Sequence, residues 1–201
     1  ERLQAPDQAF ELYGRAFLQL PQSPEVLRAL LRIARGHDLW TELSTLLNRV
    51  LSKDDAPLTA LRLEHARILD RFLESPDRAQ AELERLLRLA PDCRPGIEAL
   101  RRLHSQTGNL EGFTRCTANL VPFLDSTKDR HDLWAEVLSE ARRCRDDTSL
   151  RLALEAILKI AHDSDAADEL ADLYEREQRY DGLAALLSRQ AESEKDPARA
   201  A

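Results

Sequence analysis

The chain repeats a unit of about 34–38 residues, and this repeat constrains its fold more than any other feature. Leu100, seven residues and then Gly108-Asn109-Leu110-Glu111-Gly112-Phe113 form one copy. Leu170-Ala171, two residues, Tyr174, five residues and then Tyr180-Asp181-Gly182-Leu183 form another. Each copy reads as a leucine-bearing helix, a short polar turn, and a second helix opening on an aromatic or a leucine. A helix pair of this size cannot bury its apolar face alone, so it must stack on neighbouring pairs. Such stacks usually hold other proteins. The repeat says nothing about which protein is held.

Composition agrees with helices. Among 201 residues there are only six Gly and nine Pro, which leaves little material for long loops. Leu, Ala, Arg and Glu dominate and favour helix, and sparse β-branched residues leave little to build strands from. The net charge is −7. Most of it lies from Asp163 onward, where eleven acidic residues face five basic ones. A near-neutral remainder and an acidic end argue against a nucleic-acid binder, which presents a basic face.

Cys93, Cys116 and Cys144 match no zinc or redox spacing, and an odd number argues against a disulfide framework. Buried or half-buried thiols in a reducing compartment are expected, hence a cytoplasmic location. No apolar run approaches the roughly 18 residues of a membrane span, and no signal peptide is visible. The chain has no Met and opens on Glu1-Arg2-Leu3, so it reads as an excised piece of a longer protein or a processed chain. The 25 Arg against four Lys suggest a GC-rich bacterial source.

Proline, glycine and capping residues mark eleven helices. The first spans about Asp7 to Leu20 and stops at Pro21-Gln22-Ser23-Pro24, where Ser23 caps a second with Pro24 at its first position. Gly36-His37 closes the second, and Asp38 is expected to cap a third. Lys53-Asp54-Asp55-Ala56-Pro57 reads as a turn before a fourth helix through Leu61, His65, Ile68, Leu69, Phe72 and Leu73. Ser75-Pro76, Arg94-Pro95, Thr107-Gly108-Asn109, Ser126, Asp146, Ser164 and Tyr180 open the remaining seven, with Pro122 ending or kinking one of them. The charged tail from Glu192 is expected to fray. Apolar residues recur at i, i+3, i+4 and i+7 in nearly all of these helices. Connections of two to six residues favour antiparallel neighbours, so residues 1–201 read as one continuous domain.

At this point the chain resembles the tetratricopeptide repeat family. Leu170, Ala171, Tyr174, Tyr180 and Leu187 fit its pattern in the last unit. Ala79, Leu83, Leu86 and Pro91 fit the second half of another unit, and Ile97, Leu100 and Gly108 the first half of a third. Trp134 followed by Val137 is similar to the family's opening. The chain departs from the pattern where Leu31, Arg101 or Leu138 stand at the small position of the first helix. Leu43, Phe113 or Leu183 stand at the small position of the second. Larger residues there imply wider or shifted helix packing. The resemblance implies an all-α, right-handed α-solenoid of about five helix pairs plus an N-terminal helix. Its motif is structural and carries no chemistry.

No catalytic or ligand-binding signature appears. His37, His65, His104, His131 and His162 form no metal-ligand pair, and each is expected on the surface or in a turn. No phosphate-binding glycine loop or nucleophile elbow is present. Trp40 and Trp134 sit among leucines at helical spacing and are expected to pack in the core. The reading is therefore non-enzymatic, without cofactor or metal.

Two polar patterns remain as candidate partner-binding residues. Arg28, Arg32 and Arg35 occupy one face of the second helix, and the family resemblance places such first helices along a concave groove. Arg102, Arg142 and Arg143 fall at similar positions further along. Such arginines suit carboxylates or an acidic peptide. The alternative is a solvated face paired with Glu25 or Asp38. Asp165, Asp168, Asp172 and Glu175 form an acidic ridge on the tenth helix, suited either to a basic partner or to a soluble cap on the stack.

The expected function is a non-catalytic scaffold that binds a partner protein or peptide on its concave surface. The alternatives are a docking or regulatory segment of a larger enzyme, and an architectural arm of a large assembly. Self-association stays open.

Overall fold

The computed structural model describes residues 5–52 and 58–195, with residue 5 and residues 192–195 by backbone alone. The turn expected over Lys53–Pro57 and the last six residues of the tail lie outside them. Among the described residues all regular structure is helical. In chain order the helices are α1 (Ala5–Gln19), α2 (Pro24–His37), α3 (Trp40–Leu51), α4 (Thr59–Arg71), α5 (Pro76–Leu89), α6 (Arg94–Thr107) and α7 (Leu110–Leu120). They continue with α8 (Thr127–Cys144), α9 (Asp147–Ile160), α10 (Ser164–Arg176) and α11 (Tyr180–Lys195). Pro122 has the expected effect: α7 stops at Leu120 and the chain tightens into a 3₁₀ turn over Val121–Phe123.

The chain divides into two compact units, Glu1–Leu103 and His104–Ala201, with the boundary inside α6. In the first, α1 packs on α2, α2 on α3, α3 on α4 and α4 on α5. Its core gathers Phe17, Leu30, Trp40, Leu43, Leu47, Leu51 and Ile68. Trp40 stacks on Phe72 with ring centroids 3.7 Å apart and planes inclined by 10°. In the second, α7, α8, α9, α10 and α11 pack in succession around Phe113, Trp134, Val137, Leu154, Ile157, Leu170 and Tyr174. Both tryptophans are core residues, as their leucine neighbours indicate.

The backbone shows the repeat more clearly than the side chains do. A left-handed residue stands at or just past the end of every second helix: Asp38, Glu74, Gly108, Arg145 and Gln178, with φ between +46° and +71°. After four of these the next amide bonds back five residues, as Leu39 to the Ala34 carbonyl, Asn109 to His104, Asp146 to Ala141 and Arg179 to Tyr174. This is the Schellman closure, in which a left-handed residue lets the chain satisfy the last carbonyls of a helix and turn sharply. A small residue follows each turn on the next helix, facing inward: Ser44, Ala79, Gly112, Ser149 and Gly182. An added Cβ at Gly112 would stand 2.6 Å from the His104 ring, and one at Gly182 3.0 Å from the Tyr174 ring. The packing expected to be wider or shifted at Phe113 and Leu183 is thus shifted, and the helices approach closely. That approach is carried by Gly112 and Gly182, one residue before Phe113 and Leu183.

Several local expectations change. Asp38 does not cap α3; it terminates α2 in the left-handed conformation, and Leu39 precedes α3 without a side-chain cap. Asp163, not Ser164, caps α10 by accepting from the Ala166 amide at 3.0 Å. The fourth helix ends at Arg71, short of Phe72 and Leu73. Cys144 is exposed, whereas Cys116 is buried and Cys93 half-buried. His65 and His104 are buried rather than on the surface or in turns. Among the described residues no helix is long and apolar enough to cross a membrane.

Candidate functional site

On α2 the helical period buries Ala29, Leu30 and Ala34 and leaves Arg28, Arg32 and Arg35 exposed on the opposite side. Arg28 Nε donates to the Pro24 carbonyl at 3.2 Å. Among the described residues no carboxylate lies within ion-pair distance of the three guanidinium groups. Glu25, one of the expected partners, instead accepts from Ser23 Oγ at 3.3 Å. Arg102 is also exposed, on α6.

The second unit treats its candidates differently. Arg142 grips Glu169 of α10 with both arms of its fork, Nε to Oε1 at 3.1 Å and Nη2 to Oε2 at 2.5 Å. Arg143 is held by Glu140, three residues back on α8. These two arginines are therefore engaged within the chain. Asp165, Asp168, Asp172 and Glu175 are exposed along α10. The charge divides with the units: residues 1–103 carry 16 basic and 16 acidic side chains, and residues 104–201 carry 13 and 20. The whole net charge of −7 thus belongs to the second unit.

Sequence reasoning missed a buried polar cluster in the first unit. Arg62 on α4 is fully buried. Its Nη1 donates to Glu82 Oε1 of α5 at 2.5 Å, and its Nη2 to the carbonyl of Leu51, the last residue of α3, at 3.1 Å. His65, one turn along α4, faces Glu82 Oε2 through Nδ1 at 3.6 Å and meets Ser44 Oγ of α3 through Nε2 at 3.0 Å. Burial pushes the Glu82 carboxyl up, but the contacts from His65 and Arg62 outweigh it and hold the group below its ordinary value.

The order serine, histidine, carboxylate matches that of hydrolytic triads, but its surroundings differ. Ser44 is buried, and Arg62 already neutralises the carboxylate. What the arrangement does is tie three helices together. One signal for it was present: Leu61, His65, Ile68 and Leu69 form an apolar stripe, which places His65 facing inward.

In the second unit, Tyr174 of α10 donates its hydroxyl to Glu155 Oε1 of α9 at 3.0 Å. Glu155 also pairs with Arg151 at 3.2 Å, and Arg151 reaches Glu177 at 3.4 Å. Burial, then the hydrogen bond and charge of Glu155, push the Tyr174 phenol up from its ordinary value. Among the described residues no three His, Cys, Asp or Glu side chains are grouped as a metal site needs. The first unit also has a shallow groove of about 540 Å³ between α1 and α3, floored by Phe10, Gly14, Leu18 and Leu46.

No family model matches the sequence, and no curated protein matches it. Among solved structures, the chain is similar to the crystal structure of BtubC (BKLC) from P. vanneervenii. The two are 14% identical over 92% of this chain and 87% of that one, with a TM-score of 0.49.

Proposed function

We propose that this chain is a non-catalytic scaffold, a right-handed solenoid of tetratricopeptide type, that holds an acidic segment of a partner protein against the arginine face of α2. The observation that carries this reading is the exposure of Arg28, Arg32 and Arg35 on one face, with no carboxylate paired to them among the described residues. Guanidinium forks match carboxylates in a bidentate geometry. Side chains already tied down, as Arg142 is by Glu169, offer less. The recurring turns and small residues support a repeat architecture, and a preformed surface binds with little ordering cost. Exposed ion pairs contribute about 0.2–1 kcal/mol each, so the stripe supplies specificity and a salt-dependent association rate more than tight affinity.

The test is a peptide-display selection on the intact chain. Acidic sequences should be enriched, and the enrichment should vanish when the Arg28→Ala, Arg32→Ala, Arg35→Ala variant is used as bait. Selection of the same peptides by both proteins sinks the assignment.

One observation favours a second reading, an architectural or self-associating arm. Large apolar side chains stand exposed on α1, where Leu12 is 65% and Tyr13 40% accessible, just past its end at Leu20, and on α11, where Tyr180 is 65% accessible. Isolated exposed apolar residues are ordinary, but several on one helix suit an interface. A molar mass that rises with concentration in light scattering supports this reading, and a constant monomer mass removes it.

A further inference from the structure

The cluster of Arg62, His65, Glu82 and Ser44 does something beyond filling the core. It is balanced for one state of charge only. From α4 come the Arg62 guanidinium and the His65 imidazole; from α5 the Glu82 carboxylate; from α3 the neutral Ser44 hydroxyl and the Leu51 carbonyl. Elsewhere on these helices Glu64 pairs with Arg67, and Glu84 accepts from Gln80. Arg62 and Glu82 cancel each other's charge. A proton on Glu82 leaves the Arg62 guanidinium without its carboxylate. The site then holds an uncompensated positive charge between side chains that are 0% and 10% exposed. A buried charge without its partner is strongly destabilising.

We propose that this cluster is an acid-released latch, holding α3, α4 and α5 together at neutral pH and letting them part when it takes up a proton. The held-down Glu82 carboxyl gives the direction. Its folded value lies below its unfolded one, so its contribution is present above the unfolded value. That contribution is lost as pH falls through the folded value. The acid window therefore opens below the ordinary glutamate range of about 4.3.

The experiment uses the full chain in a Trp134→Phe background, so that Trp40 reports the first unit. Urea unfolding is followed by Trp40 fluorescence from pH 7 to pH 3. The comparison protein carries Arg62→Met with Glu82→Leu, which removes both charges at similar volume. One extra proton taken up on opening raises the unfolding equilibrium constant about tenfold per pH unit. Below pH 4.3 the unmodified cluster should show this additional slope and the double variant should lack it. Glu82→Gln fixes the protonated charge state, so at pH 7 it should already be weakened and then respond little to acid. Equal pH slopes for the unmodified cluster and the double variant overturn the latch. So does a Glu82→Gln protein as stable as the parent at pH 7. Should Glu82→Gln fail to fold, the double variant still decides the matter.

Discussion

Replacing Tyr174 with Ala tests the packing of the second unit at the point where three helices meet. The side chain is 7% exposed. Its ring lies against the backbone of Gly182 on α11, where an added Cβ would stand only 3.0 Å away, and its hydroxyl bonds to Glu155 on α9 at 3.0 Å. Truncating a buried aromatic to Ala costs about 3–5 kcal/mol. Gly182 has no side chain to fill the hole, so the loss should be about 3 kcal/mol or more. The hydrogen bond contributes about 0.5–1.5 kcal/mol, so Tyr174→Phe should lose only about 1 kcal/mol. A domain of ordinary stability holds about 5–15 kcal/mol, which makes the Ala variant clearly weakened and the Phe variant only slightly so. Urea unfolding followed by Trp134 fluorescence in a Trp40→Phe background reads the second unit. The phenol's raised value adds a pH signature. Its stabilisation is complete below the unfolded value of about 10 and is lost as pH rises through the folded one, and Tyr174→Phe should lack this alkaline loss. An Ala variant that loses less than about 1 kcal/mol, or a Phe variant as damaged as the Ala one, refutes the reasoning.

Other substitutions probe the remaining features. Gly112→Ala should destabilise by about 1–2 kcal/mol in urea unfolding, because overpacking against the buried His104 ring outweighs alanine's helix preference. Arg145→Gly and Gln178→Gly should each stabilise by about 1 kcal/mol, since glycine relieves a left-handed backbone at φ +57°; thermal melts that fall would contradict the turn assignment. Arg142→Ala should cost no more than about 1 kcal/mol, with the difference shrinking in high salt, because its pair with Glu169 is half in solvent.

The fold was largely legible because proline and capping residues fix where helices start. Ser23, Ser126 and Asp146 cap where the sequence indicates, each accepting from an amide two or three residues on. Helix ends were harder. Only Gly108 of the five left-handed closers is the glycine that such turns favour; the other four are Asp38, Glu74, Arg145 and Gln178, which give no signal by residue type. The inward small residues Ser44 and Ser149 resemble ordinary polar residues until packing is known. The exposed α2 stripe followed directly from helical period. The buried cluster did not, because Arg62 lies 20 residues from Glu82 and its burial depends on three helices meeting. A sequence cannot tell a buried arginine from a solvated one when both sit at the same helical spacing.

The most direct test of the partner-binding claim is a salt-titrated fluorescence anisotropy measurement. The probe is a labelled helical peptide with glutamates at i, i+4 and i+7. The intact chain should bind it at low salt, binding should weaken as salt screens the charges, and the Arg28→Ala, Arg32→Ala, Arg35→Ala variant should lose it while keeping its helical circular dichroism. Equal binding by the parent and the triple variant at every salt concentration would contradict the account and leave the α2 stripe an ordinary solvated face.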